Sequence, residues 1–173
     1  MTRAYVGLGS NIEPEKNVRA AVRLLAAAEH VVAISTFYRT ESVPPGAPPF
    51  INGALALEVL KRPRELKLDV LRGVEMRLGR ARTADKNAPR TIDCDLLVYG
   101  DEVVHERDLT LPAPDLETRA FVAVPLLEIA PDLIVPGSTR ALADAVATLP
   151  RQPMLPLVQL TNALRLDAEG GAG

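Results

Sequence analysis

The chain has 173 residues, 47% of them apolar and 24% charged, with a formal net charge of −2. This length suits one domain with a substantial core, and the weakly acidic balance argues against binding to nucleic acid. There is no run of eighteen apolar residues to span a membrane, and a single cysteine cannot form an internal disulfide. The N-terminal residues predict a strand and no signal sequence, so we expect a cytoplasmic protein without nucleic acid, membrane or obligate protein partners.

The first half of the chain predicts strands and one helix around a stiff loop. Short apolar runs predict strands, and apolar residues at helical spacing predict a helix. In chain order these are a strand at 4–8, a helix at 17–29 and paired strands at 31–40 and 51–59. Four prolines between residues 42 and 49 exclude a helix or central strand, so we expect this Pro-rich loop to run over the surface.

The middle of the chain predicts a helix, a basic loop and a hairpin. Apolar residues recur every four positions across 64–78, which predicts an amphipathic helix. After the loop at 80–90, the stretch 91–99 predicts a strand. We expect this strand to pair with residues 102–105 across the turn dipeptide Gly100-Asp101.

The order of elements indicates the fold class. Further helices are predicted at 114–129, interrupted by Pro125, and at 141–149. The order β-α-β-β-α-β is typical of an α+β, ferredoxin-like two-layer sandwich, in which an antiparallel sheet is flanked by helices. We expect residues 1–160 to form a single domain with extra elements at its C-terminal end, and residues 161–173 to form a flexible tail.

Two acids on the strand after the basic loop point to a metal site. Asp93 and Asp95 are two positions apart, so on a strand they share one face, while Cys94, Leu96 and Val98 face a core. Neighbouring carboxylates repel each other unless a cation lies between them. Mg²⁺ is satisfied by one or two carboxylates together with water and phosphate oxygens. The pattern therefore predicts a magnesium site; the alternative is a solvated strand end with two exposed acids.

The loop before this strand carries three arginines that suit phosphate. Arg80, Arg82 and Arg90 present planar guanidinium groups, which bind phosphate oxygens through paired hydrogen bonds and stay charged at any working pH. Phosphoryl transfer depends mainly on positioning and charge neutralisation. Beside the aspartate pair, these arginines predict a polyphosphate clamp; the alternative is an ordinary basic surface loop.

Several separate motifs resemble one enzyme family, the 6-hydroxymethyl-7,8-dihydropterin pyrophosphokinases. The resemblance extends from Ala4 to about Pro136, and the motifs occur at family-like spacing. They are Tyr5-Val6-Gly7-Leu8-Gly9-Ser10-Asn11, Phe37-Tyr38-Arg39-Thr40, Phe50-Ile51-Asn52, Glu75 with Gly79-Arg80-Ala81-Arg82, Pro89-Arg90-Thr91-Ile92-Asp93-Cys94-Asp95, and Pro125-Leu126.

The resemblance implies a reaction and a set of site residues. It implies transfer of a pyrophosphoryl group from ATP to the hydroxymethyl group of a reduced pterin in folate biosynthesis. The implied cofactor is Mg²⁺, bound as two ions. Asp93 and Asp95 would be the magnesium ligands, and Arg80 and Arg90 the catalytic arginines, with Arg80 acting in the transition state. The family's contacts fall on Glu75, Arg80, Arg82, Arg90 and Leu96 for ATP, and on Thr40, Val43, Phe50, Asn52 and Phe121 for the pterin.

The chain also departs from the family pattern in and near the basic loop. Ala113 stands where the family usually has a nucleotide-contacting histidine, and Thr83 and Asn87 stand where some members have basic or aromatic residues. These departures bear on ATP affinity and on how residues 82–88 close over the site. They also motivate a rival interpretation, a non-catalytic ferredoxin-like module that binds a nucleotide or pterin. On residue type alone, Phe50 and Phe121 could also be core residues.

Overall fold

An antiparallel sheet forms the centre of the molecule. The computed structural model of the chain describes residues 1–170. The strands, numbered in chain order, are β1 Thr2–Ser10, β2 His30–Ile34, β3 Tyr38–Thr40, β4 Phe50–Val59, β5 Asp93–Tyr99, β6 Val104–Glu106, β7 Leu109–Leu111 and β8 Met154–Pro156. Within the described residues the main sheet has the order β5-β1-β4-β3-β8, with β2 also paired to β4, and every pairing in it is antiparallel.

Helices flank this sheet. They are α1 Pro14–Ala28, α2 Pro63–Glu65 continued by a π-helical segment Leu66–Leu71 and by α3 Arg72–Arg77, a 3-10 turn Pro114–Glu117, α4 Ala120–Ile129, α5 Leu142–Thr148 and α6 Val158–Gly170. The predicted α+β class, an antiparallel sheet flanked by helices, is confirmed. No helix within residues 1–170 has both the length and the apolar character needed to cross a bilayer.

The sheet separates two apolar cores because its strands alternate. On one face, alternate residues of β1 and β4, such as Val6 and Leu55, pack with α1, α3 and α6. On the other face, Ala54 and Leu97 pack against α4 and α5. The predicted extra elements at the C-terminal end therefore supply the cover for this second face. They cover it only in part, which leaves room for a cavity.

A bulge in β5 changes which residues face the cores. The register with β1 shifts so that Val98 lies opposite Tyr5 while Leu96 lies opposite Val6. Leu97 is the additional residue, and a bulge of this kind reverses the alternation beyond it. Cys94 and Leu96 face the first core as predicted, but Val98 packs in the second core, so its predicted orientation was wrong.

The predicted strand at 31–40 is two strands. β2 and β3 are separated because the backbone between them bonds to distant partners instead of continuing the ladder. Thr36 N–H donates to the Glu128 carboxylate at 2.9 Å, and Phe37 N–H donates to Thr161 Oγ1 at 2.9 Å. Phe37 C=O accepts the amide of Leu157 at 2.8 Å. Helices that come much later in the chain therefore set this break.

The predicted pairing of residues 102–105 with the Asp93 strand is also wrong. The chain turns after Tyr99, where Glu102 N–H donates to Tyr99 C=O at 3.0 Å, and β6 then pairs with β7. The outer edge of β5 is partly occupied by a later segment, because Ala113 N–H donates to Leu97 C=O at 2.8 Å. Ala113 is thus held at the edge of β5 by a backbone bond.

The structure of the C-terminal half differs from the prediction in two places. The predicted helix at 114–129 is interrupted at Thr118 and Arg119, and Pro125 lies inside the continuous helix α4. Residues 161–170 belong to α6, which packs on α1, so the predicted flexible tail is wrong for that part. Leu164 is buried and Asp167 pairs with Arg19 across the interface. The remaining predicted tail, 171–173, lies outside the described residues.

Candidate active site

A cavity of about 340 Å³ opens on the second face of the sheet, beside α4. This volume is within the range of sites for small ligands. Its floor comes from β1, β4 and β5, and its walls from the Pro-rich loop, the basic loop and the start of α4. The predicted site residues that line it are Thr40, Val43, Phe50, Asn52, Arg90, Asp93, Asp95 and Phe121.

Strand register brings the floor residues together. Gly9 of β1 lies between Asn52 on β4 and Asp93 on β5, and Gly7 lies opposite Asp95. A Cβ atom at Gly9 would stand 2.6 Å from Asn52 Oδ1, closer than real contacts allow. The two glycines therefore leave space above the central strand, and the polar side chains of its two neighbours border that space.

One end of the cavity is aromatic and has an amide. Asn52 Nδ2 donates to Thr40 Oγ1 at 2.8 Å, and both side chains are buried. Phe50 and Phe121 are half-buried and line the cavity, outside both core clusters, so they are not ordinary core residues. Val43 is exposed and forms part of the rim.

Each of these two rings lies next to an arginine. The guanidinium carbon of Arg90 is 5.9 Å from the centre of the Phe50 ring, and that of Arg119 is 5.7 Å from the centre of the Phe121 ring. Cations at this distance are attracted by the ring face. Each ring of the aromatic end therefore has a cation beside it.

The other end of the cavity holds the two aspartates. Asp93 Oδ2 accepts Arg90 Nη1 at 3.0 Å, and its Oδ1 accepts Arg80 Nη1. Asp95 also lines the cavity and has no hydrogen-bonded or ion-pair partner within residues 1–170. The surrounding protein desolvates this carboxylate and Asp93 and Glu75 repel it, which raises the pKa of Asp95 to about 7.

This donor set fits magnesium better than zinc. No group of three or more His, Cys, Asp or Glu side chains with the geometry of a metal site occurs in the part of the chain that the structure describes. Two carboxylates on the cavity floor nevertheless match what Mg²⁺ requires when a phosphate completes its coordination. The raised pKa of Asp95 also favours a cation at this position, because the positive charge would offset the repulsion from Asp93 and Glu75.

The basic loop adds a second hollow beside the cavity. Arg80, Arg82 and Arg90 line this hollow of about 310 Å³, and Arg90 is shared with the main cavity. Arg82 is 60% exposed, whereas Arg80 is 12% exposed. Burial opposes the charge of Arg80, but Asp93 and Glu75 outweigh it and raise the pKa of the guanidinium. The three arginines thus line one hollow beside the cavity that holds the aspartates.

Two residues that the resemblance assigns to ATP lie away from the cavity surface. Leu96 is buried in the first core, on the opposite face of β5 from Asp95. Glu75 is buried behind the cavity wall, and its carboxylate accepts from Arg80 and Arg82. The structure brings Glu75 to the arginines but does not bring Leu96 to the other site residues.

Sequence reasoning missed residues that join the loops. Asn11 N–H donates to Arg90 C=O at 3.2 Å, its Oδ1 accepts Arg90 N–H at 2.8 Å, and its Nδ2 donates to Pro48 C=O at 3.3 Å. Ser42 accepts the amide of Ala47 within the Pro-rich loop. The position of Asn11 in the first motif is the only signal that could have indicated this role. Ser42 offers no such signal in the sequence.

Together, the α+β fold, a cavity with an aromatic end and a carboxylate pair, and the three arginines of the adjoining hollow define a protein of the phosphoryl-transferring class. The family model described as 7,8-dihydro-6-hydroxymethylpterin-pyrophosphokinase (HPPK) matches residues 5–131. The chain therefore belongs to this family.

Relatives and solved structures agree with this assignment. The chain is 44% identical over 156 residues to the 2-amino-4-hydroxy-6-hydroxymethyldihydropteridine pyrophosphokinase of Methylorubrum extorquens, covering 86% of this chain and 94% of the relative. It is 40% identical over 163 residues to the protein of the same name from Synechocystis, covering 89% and 83%. A crystal structure of Plasmodium falciparum HPPK-DHPS has a TM-score of 0.65 at 11% identity. The match covers 84% of this chain and 45% of that one, and it shows the fold alone.

Proposed function

We propose that the cavity binds a reduced pterin at its aromatic end and the triphosphate of ATP at its charged end. The chain is an ATP-dependent pyrophosphokinase of folate biosynthesis, which transfers pyrophosphate from ATP to 6-hydroxymethyl-7,8-dihydropterin and leaves AMP and the pterin diphosphate. The observation that carries the assignment of the cavity is its division into these two ends, with Asp93 and Asp95 at the charged end.

Asp93 and Asp95 are the proposed magnesium ligands. When bound there, two Mg²⁺ ions would supply positive charge to the triphosphate. Support for this assignment comes from the shared position of both carboxylates on the cavity floor and from the absence of any protein cation on Asp95 among the described residues. Asp93 already attracts Arg80 and Arg90, so it keeps positive charge close to the reacting group.

The arginines are proposed to act on the transferred group. As the bond between the α- and β-phosphates breaks, the pterin hydroxyl attacks the β-phosphorus and gives its proton to an aspartate or to water, and AMP leaves. In this proposal Arg80 and Arg90 neutralise the charge that develops on the β-phosphate oxygens, and the exposed Arg82 exchanges its ion pair with Glu75 for the nucleotide. No covalent enzyme intermediate is required.

Asn52, Phe50 and Phe121 are the proposed pterin contacts, with Thr40 and Val43 at the edge of the ring. The donation from Asn52 Nδ2 to Thr40 fixes the amide, so that Oδ1 points to the centre of the floor. We expect Phe121→Ala to weaken pterin binding by about 1 to 3 kcal/mol, the scale of a lost stacking surface, and to leave Mg-ATP binding nearly unchanged. Calorimetry with each ligand separately measures this, and equal losses for both ligands would mean a general effect on the fold.

The test of the whole proposal is a three-component assay. Purified protein is mixed with ATP, Mg²⁺ and 6-hydroxymethyl-7,8-dihydropterin, and AMP is measured by chromatography. We expect AMP only when all three are present. Binding of both ligands without any AMP would instead favour the rival, a non-catalytic nucleotide- or pterin-binding module.

We further propose that the protein works in the cytoplasm without an obligate protein partner. Residues of this one chain form the floor and the walls of the cavity, and the single cysteine, Cys94, is a buried free thiol. Activity of the purified protein at concentrations where sedimentation shows a monomer would support this proposal. Dependence of the rate per chain on protein concentration would contradict it.

A further inference from the structure

Glu75 is a buried acid that the reaction as described does not use. It lies in α3, close to the basic loop, and its side chain is 3% exposed. It does not line the cavity where the substrates are proposed to bind. A carboxylate is stable at such a position only when charged or polar partners compensate for its lost hydration.

The partners of Glu75 belong to the two catalytic segments. Its Oε1 accepts Arg80 Nη1 at 2.9 Å and the backbone amide of Cys94 at 2.9 Å. Its Oε2 accepts Arg82 Nη2 at 2.5 Å. Cys94 is the residue between Asp93 and Asp95. One carboxylate therefore connects the basic loop to the strand that carries both proposed metal ligands.

The contacts of Arg80 show what this connection does. Arg80 Nη1 is directed to Glu75, to the backbone carbonyl of Ile92 at 3.1 Å and to Asp93, so this nitrogen is fully engaged by the protein. Nη2 of the same guanidinium has no hydrogen-bond partner within residues 1–170, and is left for a substrate oxygen. Glu75 holds one side of the guanidinium and thereby sets the direction of the other.

We propose that Glu75 is a positioning residue for the transfer reaction, which fixes Arg80 relative to Asp93 and Asp95, and that it does not contact the nucleotide. The inference rests on the proposed function, because Arg80 must act on the transferred group. Arg80 is nearly buried and remains attached to Glu75, whereas the exposed Arg82 is a partner that can leave. The predicted contact between Glu75 and ATP is replaced by this indirect role.

The first test compares kinetic constants of Glu75→Gln with those of the wild type. The substitution keeps the size of the side chain but removes the charge that holds Arg80. We expect kcat to fall about 10- to 100-fold while the KM values for ATP and pterin change by less than about twofold, because the lost interaction acts in the transition state. A raised KM for ATP with unchanged kcat would show a nucleotide contact and would overturn the proposal.

A double-mutant cycle separates positioning from a purely structural role. If Glu75 acts through Arg80, then Glu75→Gln should have little further effect on the single-turnover rate in a protein that already carries Arg80→Ala. Equal effects of Glu75→Gln in both backgrounds would overturn the proposal. Should Glu75→Gln fail to fold, Glu75→Asp keeps the charge but is too short to reach all three partners, and the same cycle applies to it.

A matched control distinguishes this inference from the proposed function. Glu29 is also an acid with a buried side chain, which is 7% exposed and pairs with Lys61. Unlike Glu75, it does not contact the arginines, and it lies away from the cavity. Glu29→Gln is expected to keep wild-type kcat. If neither the wild type nor Glu29→Gln forms AMP, the proposed function fails. If both form AMP and Glu75→Gln has the same kcat as they do, only the positioning role fails.

Discussion

At the scale of single residues, Gly9 shows how a missing side chain builds the site. We expect Gly9→Ala to displace Asn52, because the added Cβ would be 2.6 Å from Asn52 Oδ1, and thereby to weaken its bond to Thr40. Pterin affinity should fall about tenfold or more, the scale of one lost buried hydrogen bond, with Mg-ATP affinity little changed. Calorimetry with each ligand measures both values.

The chain offers a matched control for this substitution. Gly73 lies in α3, and a Cβ atom added there would meet no atom within 4 Å apart from its chain neighbours and the backbone of its own helix, so Gly73→Ala should leave both affinities unchanged. It should also leave the protein equally or more stable, because alanine favours a helix. Wild-type pterin affinity in Gly9→Ala would show that Asn52 can move without loss, and would contradict the assigned role of Gly9.

Asp93 and Asp95 should respond differently to the same substitution. Asp93→Asn removes the charge that pairs with Arg80 and Arg90, so the free energy of unfolding should fall by on the order of 1 to 3 kcal/mol. Asp95→Asn removes an unpaired charge with a raised pKa, so the metal-free protein should be equally or more stable. Both variants should lose turnover.

Thermal unfolding in a metal chelator, together with the AMP assay, measures these effects. A lower melting temperature for Asp95→Asn than for the wild type would contradict the account of crowded charge at that carboxylate. Wild-type turnover of either variant at saturating Mg²⁺ would contradict the metal assignment. The comparison matters because both residues come from one motif, and only the structure separates their partners.

At the scale of elements, the basic loop has few contacts that hold it. Residues 81–87 are all exposed, and their hydrogen bonds are mostly local, such as Asn87 N–H to Asp85 Oδ1 at 2.9 Å. We expect the amides of this loop to exchange rapidly in the free protein and to slow about tenfold or more with Mg²⁺ and a non-hydrolysable ATP analogue. Hydrogen-exchange mass spectrometry measures this.

Two comparisons make the loop experiment specific. Pterin alone should not protect the loop, since the hollow lined by the three arginines lies at the charged end, away from the proposed pterin contacts. The β6–β7 hairpin, which contacts α2 through the Arg64–Glu106 ion pair and does not line either hollow, should exchange equally with and without nucleotide. Unchanged exchange in residues 81–87 at saturating nucleotide would mean that the loop does not close over the phosphates.

Elements also show why sequence reasoning succeeded in some places and failed in others. Apolar periodicity located β1, α1 and β4 because neighbouring residues determine it, and the period of two correctly put Asp93 and Asp95 on one face. The break between β2 and β3 depends on bonds from Glu128 and Thr161, which are 92 and 124 residues away from their partners. No local pattern contains that information, and the same holds for the bulge at Leu97.

At the scale of the whole molecule, the C-terminal segment supports the site from outside. β8 pairs with β3, which carries Thr40, and Thr161 of α6 accepts the amide just before β3. α6 in turn packs along α1, near the start of the chain. The segment predicted to be a tail thus contributes to the sheet edge beside the pterin end of the cavity. The sequence of this segment does not predict its role, because its few apolar residues are buried only where α6 packs on α1.

Asp167 tests this long-range support. Its side chain is 9% exposed and accepts Arg19 Nε at 2.8 Å and Arg23 Nη2 at 2.8 Å. The hydrogen bond from Arg19, followed by that from Arg23, lowers the pKa of Asp167 below its usual value. We expect Asp167→Asn to lower the free energy of unfolding at pH 7 by about 1 kcal/mol, since both arginines are largely exposed. Substrate affinities should not change.

The pH dependence of this difference follows from the sign of the shift. A carboxylate whose pKa is lower in the folded state stabilises the protein above its unfolded pKa of about 3.9, and this stabilisation is lost as the pH falls through the folded pKa. The gap in unfolding free energy between wild type and Asp167→Asn should therefore shrink toward zero below about pH 4. Urea unfolding across this range measures it, with Asp132→Asn, an exposed acid without an ion pair among the described residues, as control. A gap that stays constant from pH 7 to pH 3 would mean that α6 is held on α1 by packing alone.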